Sequence, residues 1–196
     1  MKLNVFSLIN MGVTIATLSI SSLQETAVMA QTGAIWYNCL TREVWTPEKK
    51  AWCDRWKTLK NATYLVPASL TPNAELMQVT LKNGRYQRQD GKFFVELVNE
   101  KNWLTFGDLN GDGKQDAAVI FGVALDPNGK AIGTYLTAVL DVDGKPRAIA
   151  PIRLGGRIML NGPIEIDNNS VTVPLLTQKE VINRVYVIQE ALQERQ

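Results

Sequence analysis

The chain has 196 residues, 21 Lys and Arg against 19 Asp and Glu, and a hydrophobic share of 45%. That length fits one domain with a small appendage, and that apolar content is too high for a disordered chain. A net charge of +2, no histidine and 2 cysteines exclude a strongly basic nucleic-acid binder, every Ser-His-Asp or Cys-His catalytic arrangement, and zinc sites built on histidine or on cysteine alone.

Residues 1–30 read as a secretory signal peptide. Lys2 is a short positive start, Phe6 to Ile20 is mostly apolar, and Ala27-Val28-Met29-Ala30 places small residues before a cut at Gln31. The apolar stretch is shorter than the roughly 20 residues that span a bilayer, and no other segment is long and apolar enough. The expected product is exported, periplasmic or extracellular, with no membrane span once the signal is cleaved; an uncleaved anchor is the alternative. In an oxidising compartment Cys39 and Cys53 are expected to pair as a structural disulfide, contributing roughly 3 kcal/mol for a loop of this length. The alternative is two buried free thiols. A redox role has no support, because the Cys-x-x-Cys spacing is absent.

Residues 31–61 read as a disulfide-linked helical unit. Thr46-Pro47-Glu48 supplies an N-cap, a proline suited to the first helical position and an acid in the first turn. Trp52, Trp56 and Leu59 follow at i, i+4 and i+7, one face of a short helix ending near Lys60. Four of the 5 tryptophans lie in this unit: Trp36, Trp45, Trp52 and Trp56. Their helical spacing points to a small core around the disulfide. Exposed, Trp36, Trp45 and Trp52 would instead suit a carbohydrate-binding module.

Residues 62–188 change to a β pattern. Turn signals recur at Asn83-Gly84, Asp90-Gly91, Asp126 to Gly129, Asp143-Gly144, Gly155-Gly156, Asn161-Gly162 and Asp167 to Asn169. Between them lie apolar runs such as 93–98, 117–125, 133–142, 148–154 and 171–176. Short runs joined by tight turns predict a mainly β fold, an antiparallel barrel- or sandwich-like sheet beside the short disulfide-pinned helix. No strand–helix–strand alternation is present, so a doubly wound fold is not expected. Residues 189–196 are a polar tail, read as a frayed helix or disordered.

The segment from Phe106 to Val119 carries chemistry. It reads D-x-N-x-D-G-x-x-D, with Asp108, Asn110, Asp112 and Asp116 at regular intervals and Gly113 at the sixth position. Hard cations such as calcium take six to eight oxygens, and a tightly wound loop supplies them from side chains at positions 1, 3, 5 and 9 and a backbone carbonyl at 7. Here position 7 is Lys114. Position 12 is Val119, where an EF-hand needs a bidentate Glu, and strands are expected on both flanks. The run resembles the strand–loop–strand calcium loop of FG-GAP-type repeats, found in integrin propellers and many secreted bacterial proteins. That resemblance places Asp108, Asn110, Asp112 and Asp116 as side-chain ligands, the Lys114 carbonyl as a fifth, and calcium as a structural cofactor. The single copy excludes a whole propeller; as a whole the chain resembles small exported bacterial proteins carrying one such loop. The competing reading is a plain polar turn, for which Asn-Gly-Asp-Gly is well suited. Asp126 to Gly129 and Asp141 to Gly144 have too few oxygens and read as turns.

With no nucleophile–base pair, the expected function is a non-enzymatic, calcium-stabilised module acting on an envelope or extracellular partner. A carboxylate-based envelope hydrolase would need only acids such as Asp90, Glu96, Asp141 or Glu165, and no spacing singles out a pair. Arg147, Arg153, Arg157 and Arg184 would make an anion-binding face if they converged; the simpler reading is a solvated sheet face. Asn61 and Asn168 head glycosylation sequons that also fit turns.

Overall fold

The computed structural model describes residues 36–126, 128–188 and 192–194. The signal peptide read at residues 1–30 lies outside them. Among the described residues the chain forms one helix and fourteen strands.

Helix α1 is Pro47–Leu59. Thr46 is extended and its hydroxyl accepts the Lys49 N–H at 3.2 Å. Pro47 opens the helix, where a missing N–H leaves nothing unpaired. The buried stripe is Lys49, Trp52, Cys53, Trp56 and Leu59, one face of a 3.6-residue period. Cys53 is joined to Cys39 with a Cα–Cα distance of 5.7 Å, so the expected disulfide is present. Lys49 ties the same segment down from the other side. Its ammonium donates to the Thr41 hydroxyl at 2.6 Å and to the Glu43 carboxylate.

Strands β1 (Thr63–Pro67) and β2 (Leu76–Thr80) form a two-stranded ribbon. A seven-stranded antiparallel sheet holds β3 (Arg85–Gln87), β4 (Phe94–Leu97), β5 (Leu104–Gly107), β6 (Asp116–Ala124), β7 (Ile132–Val142), β8 (Lys145–Ala148) and β9 (Ile152–Gly155). Its spine is the β6–β7 pair, in register from Ala117 opposite Val139 to Ala124 opposite Ile132. Short strands β4 and β5 lie end to end along the free side of β6, and β8 and β9 along that of β7. A five-stranded antiparallel sheet follows: β10 (Met159–Leu160), β11 (Glu165–Asp167), β12 (Ser170–Leu176), β13 (Val181–Ile188) and β14 (Leu192–Glu194). The fold is mainly β, with a curled antiparallel sheet and the one short helix.

The β6 run is apolar on both faces because both faces are covered. Ala117, Val119, Phe121 and Val123 pack with Trp52, Trp56 and Leu59 of the helix and with Tyr64 and Val66 of β1. Ala118 and Ile120 pack on the opposite side with Val171, Val173 and Tyr186 of the second sheet and with Ile164 just before β11. The helix therefore shares its core with the sheet. Each face gains about 25 cal/mol per Å² of apolar surface removed from water.

Turn chemistry acts as expected at three hairpins. Asn83-Gly84, Asp143-Gly144 and Asn168-Asn169 all hold positive φ at both central positions, the type I′ geometry whose twist matches paired strands. Elsewhere local patterns mislead. The run 148–154 divides into β8 and β9 around Ala150-Pro151, since proline has no N–H for a ladder. The mostly polar β3 is a strand through its pairing with β4. The expected polar tail contributes β14, which pairs with Tyr186–Ile188 and buries Leu192.

Candidate metal loop and an adjoining cleft

Strands β5 and β6 are antiparallel with Gly107 opposite Asp116, so residues 108–115 are the loop of a hairpin. The strand–loop–strand setting expected from the sequence is present. Gly107 lies against the second sheet so closely that a Cβ there would sit 2.8 Å from Ile166 Cγ2. That contact seats the foot of the loop between the two sheets.

Asp108 heads the loop. Its Oδ1 accepts the N–H groups of Asn110 and Gly111 at 3.2 and 2.7 Å, and its Oδ2 accepts that of Gly113 at 2.8 Å. These amides, Gly113 foremost, hold its carboxyl below the ordinary carboxylate range. Asn110 Oδ1 accepts the Asp112 N–H at 3.0 Å, and Asp112 Oδ1 accepts the Lys114 N–H at 2.9 Å. Asn110 Nδ2 also donates to Asp112 Oδ2 at 3.2 Å. Gly111 and Gly113 sit at φ 79° and 78°, which lets the chain wind tightly enough for three side chains to cap successive amides.

Asp116 does something different. It is 1% exposed, with Oδ2 accepting the Leu109 N–H at 2.9 Å and Oδ1 accepting the Asp141 N–H at 2.8 Å. One carboxylate thus ties the start of the loop to its end and both to β7. The Lys114 ammonium reaches away to Asp143 Oδ1 at 3.6 Å, across to the β7–β8 turn.

The donor set fits a hard cation in part. Asp108 Oδ2, Asn110 Oδ1 and both Asp112 oxygens each accept one hydrogen bond and retain a lone pair. Among the described residues no three Asp, Glu or Cys side chains converge as a metal-holding cluster. A cation here would draw on the carboxylates of Asp108 and Asp112 and on neutral oxygens from Asn110 and the Lys114 carbonyl, with Asp116, whose two oxygens each accept one N–H and also retain a lone pair, at the base of the set. Asp116 sets the loop's foot.

At that foot lies a cleft of about 220 Å³ between α1 and strands β5 to β8. Leu59, Phe106, Ala117, Val139 and Leu140 line it, with Arg55 and Lys145 as cations and Asp54 and Asp141 as acids. The Arg55 guanidinium stacks over the Phe106 ring at 4.9 Å. Its Nε is buried with no hydrogen-bond partner, and partial burial lowers its pKa from the ordinary arginine value. A buried donor left unpaired costs about 1–3 kcal/mol. The nearby acids are occupied elsewhere: Asp54 pairs with Lys50 at 2.6 Å, and Asp141 Oδ1 accepts the Gly144 N–H at 2.7 Å. Sequence reasoning missed this cleft. Arg55 reads as the polar side of a helix, and only the fold brings Phe106 beneath it.

The remaining sequence candidates stay apart. Asp90 pairs with Arg88, Glu96 pairs with Arg85, and Glu165 is exposed on β11, so only Asp141 of that acid set reaches the cleft. Trp52 and Trp56 are core residues, while Trp36 and Trp45 are half-buried beside them. Arg153 donates to the Leu70 carbonyl at 2.8 Å and Arg157 to that of Gly129 at 3.0 Å. Arg147 and Arg184 lie on different sheets. Asn61 closes the end of α1 through a bond to the Lys57 carbonyl, and Asn168 is in the β11–β12 turn. Comparison with protein-family models, with curated proteins and with solved structures gives no match.

Proposed function

We propose that the protein is an exported, non-enzymatic β module that calcium stabilises at loop 108–116 and that acts by binding in the cell envelope or outside the cell. The observation that carries this reading is the winding of the loop: Asp108, Asn110 and Asp112 each cap a loop amide and keep oxygen lone pairs on one short turn. Bound calcium would neutralise two carboxylates held within that turn and lock the β5–β6 hairpin. Export is supported by the signal pattern of residues 1–30, by the Cys39–Cys53 disulfide and by the lack, among the described residues, of a helix long and apolar enough to cross a membrane.

The affinity expected of so modest a ligand charge is on the order of 10⁻⁴–10⁻³ M. Calcium a hundredfold above that constant would then add about 2.7 kcal/mol of stability. Thermal melting of the wild type and Asp112→Ala, each in calcium and in chelator, tests it. A calcium-dependent rise confined to the wild type is the expected outcome. Equal shifts in both proteins would reduce the segment to a polar turn.

A further inference from the structure

We propose that the cleft between α1 and strands β5 to β8 is a binding site for a small organic monocarboxylate, whose carboxylate pairs with Arg55 and whose apolar body rests on Phe106, Leu59 and Val139. The cation comes first in the argument. Arg55 lines the cleft, lies over the Phe106 ring and pairs with no carboxylate among the described residues. A guanidinium is donor-only and stays charged, so Arg55 offers the cleft a fixed positive charge and donors for an acceptor from outside the protein. The two acids on the rim do not serve, being held by Lys50 and by the Gly144 N–H. The partial desolvation that lowers the Arg55 pKa would also strengthen its attraction for an anion relative to open water.

Charge and size then narrow the class. Lys50 neutralises Asp54, which leaves Arg55 and Lys145 against Asp141 around the cleft, two positive charges and one negative, so a dianion such as sulfate or a phosphate monoester brings more negative charge than the site can offset. A single carboxylate matches the one positive charge that remains. The wall opposite Arg55 is apolar, which favours an acid with an apolar body over a fully hydrated ion. A cavity of about 150 Å³ takes one benzene, and this cleft of about 220 Å³ takes such a ring with a carboxylate attached. The walls are firm: Leu59, Ala117 and Val139 are core residues, and the Asp141 backbone is bonded to the buried Asp116.

This site stands apart from the calcium reading, and the experiment separates the two. Benzoate is titrated calorimetrically into the purified protein, in calcium and in chelator, beside its neutral isostere benzamide and beside sulfate. Benzoate should bind with a Kd on the order of 1 mM or tighter, in both media, with benzamide and sulfate at least tenfold weaker. Arg55→Met should lose at least tenfold for benzoate while keeping its circular dichroism. If that variant fails to fold, Thr58→Trp, placed at an exposed position on the rim, should block benzoate in its stead. No saturable binding by 10-fold above the expected Kd, equal binding of benzamide, or benzoate binding undiminished in a folded Arg55→Met would each overturn the proposal. A calcium shift in melting that persists while benzoate fails would leave the loop reading standing and this one refuted.

Discussion

Two acid-headed loops of this molecule start alike and end differently. Asp108 and Asp126 each accept three backbone N–H groups from the residues that follow them. In both, those amides hold the carboxyl below its ordinary range. At Asp126 the arrangement stops there, and the loop leads into β7. At Asp108 two further oxygens follow, Asn110 and Asp112, and a buried carboxylate, Asp116, anchors the foot. One aspartate with amide donors makes a good turn. A cation needs several oxygens left over after the turn is made, and a foot that does not open when their charges repel.

The largest effect expected is at the foot. Asp116→Ala removes a buried acceptor of two backbone N–H groups, and those donors would be left without partners beneath the loop. A loss of about 3 kcal/mol is expected, read by urea denaturation, in calcium and in chelator alike. A loss below about 1 kcal/mol would show that the loop stands without its anchor.

The next effect separates the two loops directly. In Asp126→Ala the calcium-dependent rise in melting temperature should match the wild type, whereas in Asp112→Ala it should be gone. The Asp126 change should itself lower the melting temperature by about 2–4 °C through its lost turn bonds, equally with and without calcium. A calcium response that vanished with Asp126 would put the ion at the wrong loop.

The smallest effect is in acid. Both carboxyls have folded pKa values depressed below the ordinary 3.8. Each therefore adds stability that is present above that value and is lost as pH falls through the folded one. In chelator, Asp108→Asn and Asp126→Asn should each flatten the fall in melting temperature below about pH 4 by a similar amount. In calcium, the acid limb should move to lower pH in the wild type and in Asp126→Asn only. Identical limbs in calcium and chelator would leave the two loops equivalent.

Much of the local structure was legible without coordinates. Thr46-Pro47 started the helix, and the spacing of Trp52, Trp56 and Leu59 named its buried face, because cap geometry and a 3.6-residue period are properties of neighbouring residues. Asn-Gly and Asp-Gly pairs marked the hairpins, since few residues tolerate positive φ. The regular oxygens of residues 108–116 stood out for the same reason: all lie within one turn of chain.

Long-range pairing decided the rest. Arg85–Gln87 and Leu192–Glu194 have little strand signal of their own and become strands by joining β4 and β13. Asp116 reads in the sequence as one more loop oxygen, and its burial and its bond to the Asp141 N–H depend on β7 lying beside β6. Arg55 and Phe106 are fifty-one positions apart, and nothing in either segment announces the other. Backbone preferences and side-chain periods act over a few residues, so the sequence by itself determined the helix, the turns and the acid loop. Which carboxylate is buried, and which cation is left unpaired beside an apolar wall, follow from desolvation, and desolvation exists only once distant strands have closed over one another.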